Sequence, residues 1–143
     1  YLARLSHHPP VVVAPDTPVL SAVELMSKNR VGAVGVVEND ELVGIFTERD
    51  LMERVVLKTR PPASTRVADV MTSPVTSVRA DDDPAQALET MMHRHIRHLP
   101  VTDHSNRILG VLSIRNLLQH QLEKARSEAD SLEAYFGADG AGG

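Results

Sequence analysis

Apolar residues along this chain follow one pattern twice, at an offset of about 65 positions. Each copy has a short β-branched run, a helix start, apolar residues at helical spacing, and two alternating runs separated by a polar turn. Residues 11–52 return in this way as residues 75–118. The aligned apolar positions are Ala22, Met26, Val31 and Val36 in the first copy, and Ala87, Met91, Ile96 and Val101 in the second. The chain is therefore predicted to contain two copies of one structural unit.

Each copy predicts the element order βαββα. The helix starts contain Pro18 and Pro84, which suit a first turn where no amide donor is needed. The second helix of each copy is predicted to begin at Thr47 or Ser113. The predicted strands are Val11–Val13, Ala33–Val37 and Leu42–Phe46, then Val75–Val78, Leu99–Thr102 and Ile108–Leu112. A right-handed strand–helix–strand crossover followed by a hairpin gives a three-stranded mixed sheet in each copy, an α+β fold.

These patterns divide the chain into five parts. We expect a first repeat at 1–57, a linker at 58–66, a second repeat at 67–120, a C-terminal helix at 121–136 and a disordered tail at 137–143. The helix carries a short seam with alternating spacing of four and three, made of Leu118, Leu122, Ala125, Ala129, Leu132 and Phe136. This seam has two interpretations: a face packed on its own repeat, or a homodimer contact.

Composition narrows the functional class. The 143 residues include 15 Lys and Arg against 19 Asp and Glu, a net charge of −4, and 3% aromatic residues. This balance disfavours nucleic-acid binding, which needs a basic surface and stacking platforms. The chain has no cysteine, and we find no run long enough for a membrane helix, so we expect a cytoplasmic protein. Because the sequence opens on Tyr1, residues are expected to precede it, and N-terminal targeting stays open.

The candidate chemistry lies at the two second-helix starts, residues 44–50 and 110–116. Each has a hydroxyl residue at the expected N-cap and an Asp or Asn three positions later, preceded directly by an Arg. A helix N-terminus with a hydroxyl group and a guanidinium can bind phosphate, and a carboxylate or amide can bind ribose hydroxyls. The alternative is a capping box, which only stabilises the helix start. The residues concerned are Thr47, Arg49 and Asp50, and Ser113, Arg115 and Asn116.

Other chemistry finds less support. The histidines His93 and His95 face different directions on a helix, so we expect no metal site. No nucleophile elbow, phosphate-binding glycine loop or paired-carboxylate constellation is present, so we expect no enzyme and no required cofactor.

Three motifs resemble tandem CBS domains, also called Bateman modules. They are the glycine-apolar-x-Thr/Ser-x-x-Asp/Asn ending in both copies, RHLPV at 97–101, and VADVMT at 67–72. The chain also resembles stand-alone bacterial two-CBS proteins. This resemblance implies two repeats packed with pseudo-twofold symmetry and clefts that bind AMP, ADP, ATP, S-adenosylmethionine or NAD(H), with AMP as the expected ligand. We expect a regulatory role, read by a homodimer and an effector protein, and the charge balance and lack of a long apolar run lead us to expect no nucleic-acid or membrane partner. An interaction module without a nucleotide site is the alternative.

The resemblance also implies roles for individual residues. Thr47 and Ser113 would meet phosphate, and Asp50 and Asn116 would meet ribose. Arg97 and His98 would also face phosphate, whereas the first copy has Gly32 and Ala33 at those positions. Backbone groups near Val12, Val75 and Thr76 would read the adenine edge. We therefore expect the more phosphorylated ligand to bind at the site formed by Arg97, His98, Ser113, Arg115 and Asn116. The alternative is that only one site is occupied, and that Asp50 anchors it.

Overall fold

The computed structural model describes the backbone of residues 1–142 and the side chains of residues 1–136. In chain order the elements are α1 (Leu2–Leu5), β1 (Val12–Val13), α2 (Val19–Asn29), β2 (Ala33–Glu38), β3 (Glu41–Thr47), α3 (Glu48–Asp50, continued by a π-helical turn at Leu51–Val56), a 3₁₀ turn (Val67–Asp69), β4 (Val78–Arg79), α4 (Pro84–Arg94), β5 (His98–Thr102), β6 (Ile108–Ser113) and α5 (Ile114–Gly142). We call β1–β3 with α2 and α3 the first unit, and β4–β6 with α4 and α5 the second unit.

Both units have the same sheet. The strand orders are β1-β2-β3 and β4-β5-β6, with the first pair of each sheet parallel and the second antiparallel. The hairpin register shifts at the same place in both sheets, between Val36 and Val37 and between Val101 and Thr102. The predicted α+β fold with two βαββα repeats is therefore confirmed.

Local sequence explains most element boundaries. Asp83 caps α4 by accepting a 3.0 Å hydrogen bond from the Ala85 amide, and Pro84 begins that helix. Helices α2 and α4 are followed by the C-cap residues Arg30 and His95, which both adopt the left-handed conformation at φ 55°. These matching ends fix the approach to β2 and β5 in the same way.

Strand β4 is displaced from its predicted position. We expected Val75–Val78, but the strand is Val78–Arg79. Val75 instead packs against an apolar cluster between the two sheets, formed by Ala33, Ile45 and Val111. Because a β-branched run is favourable in either setting, its composition does not distinguish ladder pairing from packing between sheets.

Each unit has its own apolar core, and each core is completed by a segment from the other copy's beginning. We call residues 2–9 the first lead-in and residues 67–74 the second lead-in. Leu2 is fully buried in the core of the second unit, and Val67 is fully buried in the core of the first. The first lead-in is joined to β6 by two backbone hydrogen bonds between His7 and Val111, of 3.0 and 3.2 Å.

The second lead-in repeats this arrangement on the first unit. Thr72 and Ile45 exchange two backbone hydrogen bonds of 2.8 and 3.0 Å. Residues 2–9 and 67–74 stand at the same offset as the rest of the repeat, but the sequence alone did not reveal that they change places. The predicted boundaries of the linker, after residues 57 and 66, stay a prediction. In the structure, the first lead-in packs on the second unit.

Helix α5 leaves the second unit soon after it begins. Leu117 is fully buried, whereas every side chain from Leu122 to Phe136 is exposed. The interpretation that the seam packs on its own repeat is therefore wrong for this stretch, and homodimer formation stays a prediction. Residues 137–142, which fall in the predicted disordered tail at 137–143, continue the backbone of α5, and residue 143 lies outside the described residues. No helix in the described part of the chain is long and apolar enough to span a membrane.

Candidate functional site

Two clefts lie between the units, each beside one of the predicted helix starts. The Thr47 cleft has a volume of about 390 Å³ and includes Thr47, Asp50, Thr72 and Thr76 among its lining residues. The Ser113 cleft has a volume of about 490 Å³ and includes His7, Val11, Arg30, Ser113 and Asn116. Each cleft therefore combines a helix start from one unit with the lead-in that completes that unit.

The first helix start is a capping box. The Thr47 amide donates to Asp50 Oδ2 at 3.1 Å, and the Asp50 amide donates to Thr47 Oγ1 at 3.2 Å. The Thr72 hydroxyl donates a further hydrogen bond to the Asp50 carboxylate at 3.0 Å, and Arg54 Nε lies 3.7 Å from the same carboxylate. Asp50 is only 5% exposed. Its carboxylate is thus largely occupied within the protein, which leaves limited capacity to accept from ribose hydroxyls.

The second helix start has the same geometry with different chemistry. The Ser113 amide donates to Asn116 Oδ1 at 2.9 Å, and the Asn116 amide donates to Ser113 Oγ at 3.1 Å. The Ser113 hydroxyl also donates to Asn116 Oδ1 at 2.8 Å. The side-chain amide nitrogen of Asn116 has no hydrogen-bond partner among the residues described, so it is a donor available to the Ser113 cleft.

The predicted arginines differ in how freely they can meet a ligand. Arg49 donates from Nη1 to the His95 carbonyl oxygen at 2.8 Å, so it ties α3 of the first unit to the end of α4 in the second. Arg97 and Arg115 make no side-chain hydrogen bond or ion pair with any residue that the structure describes. Both are exposed and line the Ser113 cleft. Arg97 also lines the Thr47 cleft.

The two clefts have opposite electrostatic character. Arg30, Arg97 and Arg115 line the Ser113 cleft, and none of its described lining residues is a carboxylate. The Thr47 cleft sets Glu48 and Asp50 against Arg49 and Arg97. The Ser113 cleft therefore attracts anionic ligands more strongly than the Thr47 cleft does.

His98 separates the two clefts and lines both. Its ring packs on Gly32, where an added Cβ would stand 3.1 Å from Cε1 and from Nε2. Burial lowers the pKa of His98 below its usual value; Glu48 opposes this shift and Arg97 adds to it. A phosphate beside the ring would favour the protonated form.

Two of the predicted adenine-reading residues do not line a cleft, although Thr76 does. Val12 is absent from both linings and Val75 packs between the sheets, whereas Val11 lines the Ser113 cleft. The predicted adenine-reading role of these backbone segments stays a prediction, with Val11 and Thr76 as the residues that line the clefts. Sequence reasoning also missed His7, Arg30 and Thr72 as lining residues. The repeat offset places His7 opposite Thr72, which is the signal that could have identified this pair.

Among the described residues, no group of three His, Asp or Glu side chains is placed to hold a metal ion. The clefts therefore present hydroxyl, amide and guanidinium groups around apolar strand residues. This chemistry suits an organic ligand that carries phosphate and hydroxyl groups.

Two facing three-stranded sheets with a cleft at each second-helix start define a protein built from a pair of repeated domains. The CBS domain family model matches residues 2–57 and 67–123, and the chain belongs to that family. The matched ranges include both lead-ins.

Individual relatives agree with this assignment. The chain is 35% identical over 111 residues to the protein MK0525 of Methanopyrus kandleri, covering 75% of this chain and 57% of the relative. The chain spans less than two thirds of the length of the first curated relatives that it matches. The crystal structure of the CBS domain protein NE2398 has a TM-score of 0.78 at 31% identity, covering 85% of this chain and 94% of that one. The structure of CBSX2 in complex with AMP has a TM-score of 0.72 at 25% identity, covering 87% and 97%.

Proposed function

We propose that this chain is a regulatory module that reversibly binds an adenine nucleotide between its two CBS units, with AMP as the expected ligand. The observation that carries the proposal is that both helix starts line cavities built from both units. A volume of about 390 to 490 Å³ accommodates a nucleotide-sized ligand. The related protein CBSX2 was crystallised with AMP.

The Ser113 cleft is proposed as the stronger nucleotide site. Its three arginines and the free amide donor of Asn116 offer charge and hydrogen bonds that the capping box does not consume. In the Thr47 cleft, Arg49 and Asp50 are already bonded to protein groups. The Ser113 hydroxyl would exchange its bond to Asn116 for a bond to phosphate, and Arg97 and Arg115 would close on the same group.

Regulation would follow from the location of the clefts. A ligand that contacts both units shifts their relative arrangement only by as much as its affinity differs between the arrangements. We propose that a homodimer formed through α5 and an effector protein read this shift, in a cytoplasmic setting. ADP, ATP, NAD(H) and S-adenosylmethionine are the other candidate ligands.

A calorimetric titration with AMP, ADP, ATP, NADH, S-adenosylmethionine and adenosine tests the proposal. Thermal melting gives an independent readout. A ligand at 100 times its dissociation constant adds about 2.7 kcal/mol of stability, which raises Tm by several degrees at this chain length. We expect Arg97→Ala to weaken AMP more than adenosine. Equal weakening of both would show that Arg97 does not meet phosphate, and no binding by any of these ligands would contradict the proposal.

The second candidate is an interaction module without a nucleotide site. It is favoured by the capping boxes, which already use the Thr47 and Ser113 hydroxyls. It is also favoured by the bond of Arg49 to the opposite unit. Substitution separates the two candidates, because Arg115→Ala removes a cleft-lining charge that the fold does not use. If nucleotides bind and Arg115→Ala weakens them without changing stability, the nucleotide module is the better explanation; if no nucleotide binds the unsubstituted protein, the interaction module is.

A further inference from the structure

The two clefts share one wall. Gly32, Arg97 and His98 each line both cavities. By the repeat alignment, Gly32 and Ala33 stand where the second copy has Arg97 and His98. A symmetric pair would give each cleft its own arginine and histidine, but this chain has a single arginine–histidine pair between two clefts. The His98 ring packs directly on Gly32 in this wall, with 3.1 Å from a Cβ built on Gly32 to ring atoms Cε1 and Nε2.

Arg97 is placed to serve either side of the wall. Its side chain is exposed and has no hydrogen-bond or ion-pair partner among the residues described. Two other arginines near the wall are tied to protein groups, since Arg49 donates to the His95 carbonyl and Arg94 donates to Thr76 Oγ1 at 2.9 Å. Arg97 therefore keeps the rotational freedom that those side chains have lost.

The clefts differ in how much they depend on this residue. The Ser113 cleft retains Arg30 and Arg115 when Arg97 turns away. In the Thr47 cleft the other lining arginine is Arg49, which is bonded across to the second unit. Arg97 is thus the unbonded guanidinium on which a phosphate in the Thr47 cleft depends, next to the carboxylates of Glu48 and Asp50.

We infer that the clefts compete for the guanidinium of Arg97, so that a phosphorylated ligand bound in one cleft weakens the binding of a second phosphorylated ligand in the other. The inference rests on the proposed nucleotide binding. A charge-assisted hydrogen bond that only one ligand can hold corresponds to roughly a tenfold difference in affinity. The effect is reciprocal, because coupling between binding equilibria acts equally in both directions. A ligand without phosphate makes no use of Arg97 and shows no coupling.

The test must separate coupling from the intrinsic difference between the clefts. Thr76→Trp fills the Thr47 cleft and Gln119→Trp fills the Ser113 cleft, so each variant reports the AMP affinity of the cleft left open. If either variant fails to fold by circular dichroism, Met52→Trp or Val11→Trp replaces it. Independent clefts would give a full-chain isotherm equal to the sum of the two single-cleft isotherms. We expect the second AMP to bind the full chain roughly tenfold more weakly than that sum requires.

Three measurements decide the outcome. With Arg97→Gln introduced into the full chain and into both blocked variants, the full-chain AMP isotherm should equal the sum of the two single-cleft isotherms. Arg126→Gln, on the exposed part of α5, should leave the coupling intact. Adenosine should follow the sum throughout. AMP isotherms that follow the sum with Arg97 present, or AMP binding in only one blocked variant, would overturn the inference while leaving nucleotide binding intact. If AMP binds no variant and not the full chain, the proposed function itself fails.

Discussion

Gly110 in β6 is the position where a single methyl group should test the lead-in exchange. A Cβ there would overlap Ser6 Oγ, stand 3.0 Å from Ser6 Cβ and stand 3.1 Å from the His7 carbonyl oxygen. Ser6 is buried and its hydroxyl donates to the Ala3 carbonyl at 2.7 Å, so the side chain cannot turn away without losing that bond. Gly110→Ala must therefore either break the Ser6 hydrogen bond or move the backbone of the first lead-in away from β6, and the close Ser6 Cβ and His7 carbonyl oxygen favour the backbone movement.

The magnitude follows from what this movement breaks. The two backbone hydrogen bonds between His7 and Val111 contribute about 1 kcal/mol each. Leu2, fully buried at the start of the same segment, contributes about 2 kcal/mol if it leaves the core. Loss of the hydrogen bonds with partial exposure of Leu2 gives a destabilisation of about 2–4 kcal/mol.

Gly44 in β3 is the matched control. It occupies the equivalent place in the first unit, where an added Cβ would overlap the thioether of Met71. A methionine side chain is flexible and can repack, so we expect Gly44→Ala to cost about 1 kcal/mol.

Urea denaturation followed by circular dichroism measures both variants. One kcal/mol corresponds to about 3–4 °C in Tm for a chain of this size, so melting curves give an independent check. The reasoning is refuted if Gly110→Ala destabilises the protein no more than Gly44→Ala. It is equally refuted if Gly110→Ala changes the free energy of unfolding by less than about 0.5 kcal/mol, the range of ordinary surface substitutions.

Three further predictions concern other parts of the molecule. Asp50→Asn should lower the free energy of unfolding in urea by about 1–3 kcal/mol, because a buried carboxylate that accepts from three donors becomes an amide with one acceptor. Because the pKa of His98 is lowered in the folded protein, the unfolded chain protonates this ring at a higher pH than the folded chain does. The free energy of unfolding should therefore fall as the pH drops through about 6.5, the ordinary pKa of histidine. In urea titrations at pH 5–8, His98→Gln should reduce the slope of the unfolding free energy against pH. The pair Leu122→Gln and Leu132→Gln should convert a homodimer to a monomer by light scattering without lowering Tm of the units, since both side chains are more than half exposed.

Each of these predictions has a control or an outcome that would contradict it. Asn116→Asp keeps an acceptor for both donors at the second helix start, so it should cost less than Asp50→Asn. For the pH slope, an unchanged slope in His98→Gln would show that another group titrates. Lys124→Gln should leave the oligomeric state as it is. A protein that is already monomeric would contradict the seam interpretation.

The sequence predicted those features that depend on short-range patterns. Strand alternation, helical spacing and turn residues give the βαββα order, and the spacing of Thr47 to Asp50 and of Ser113 to Asn116 gives capping boxes at the predicted helix starts. These patterns work because a cap or a hairpin is formed by residues within a few positions of one another.

The features that were missed depend on contacts between distant parts of the chain. Residues 2–9 contain only a short helix, so their pattern does not reveal that Leu2 is buried in the second unit. The pattern likewise does not reveal the bond from Arg49 to the His95 carbonyl, which ties a predicted phosphate ligand to the opposite unit. Such pairings are set by how the two units pack, and local propensity carries no information about them.

The lead-ins connect folding with ligand binding. Each one completes the core of a unit through Leu2 or Val67 and, a few residues later, lines a cleft through His7 or Thr72. Because the lead-in of one copy completes the other unit, neither unit has a complete core without the other copy's first residues. A ligand that contacts His7 therefore also stabilises the segment that holds Leu2 in place, and it does so only in the folded pair. By linkage, occupancy of the Ser113 cleft should raise the stability of both units together, so a single cooperative melting transition should move with ligand concentration.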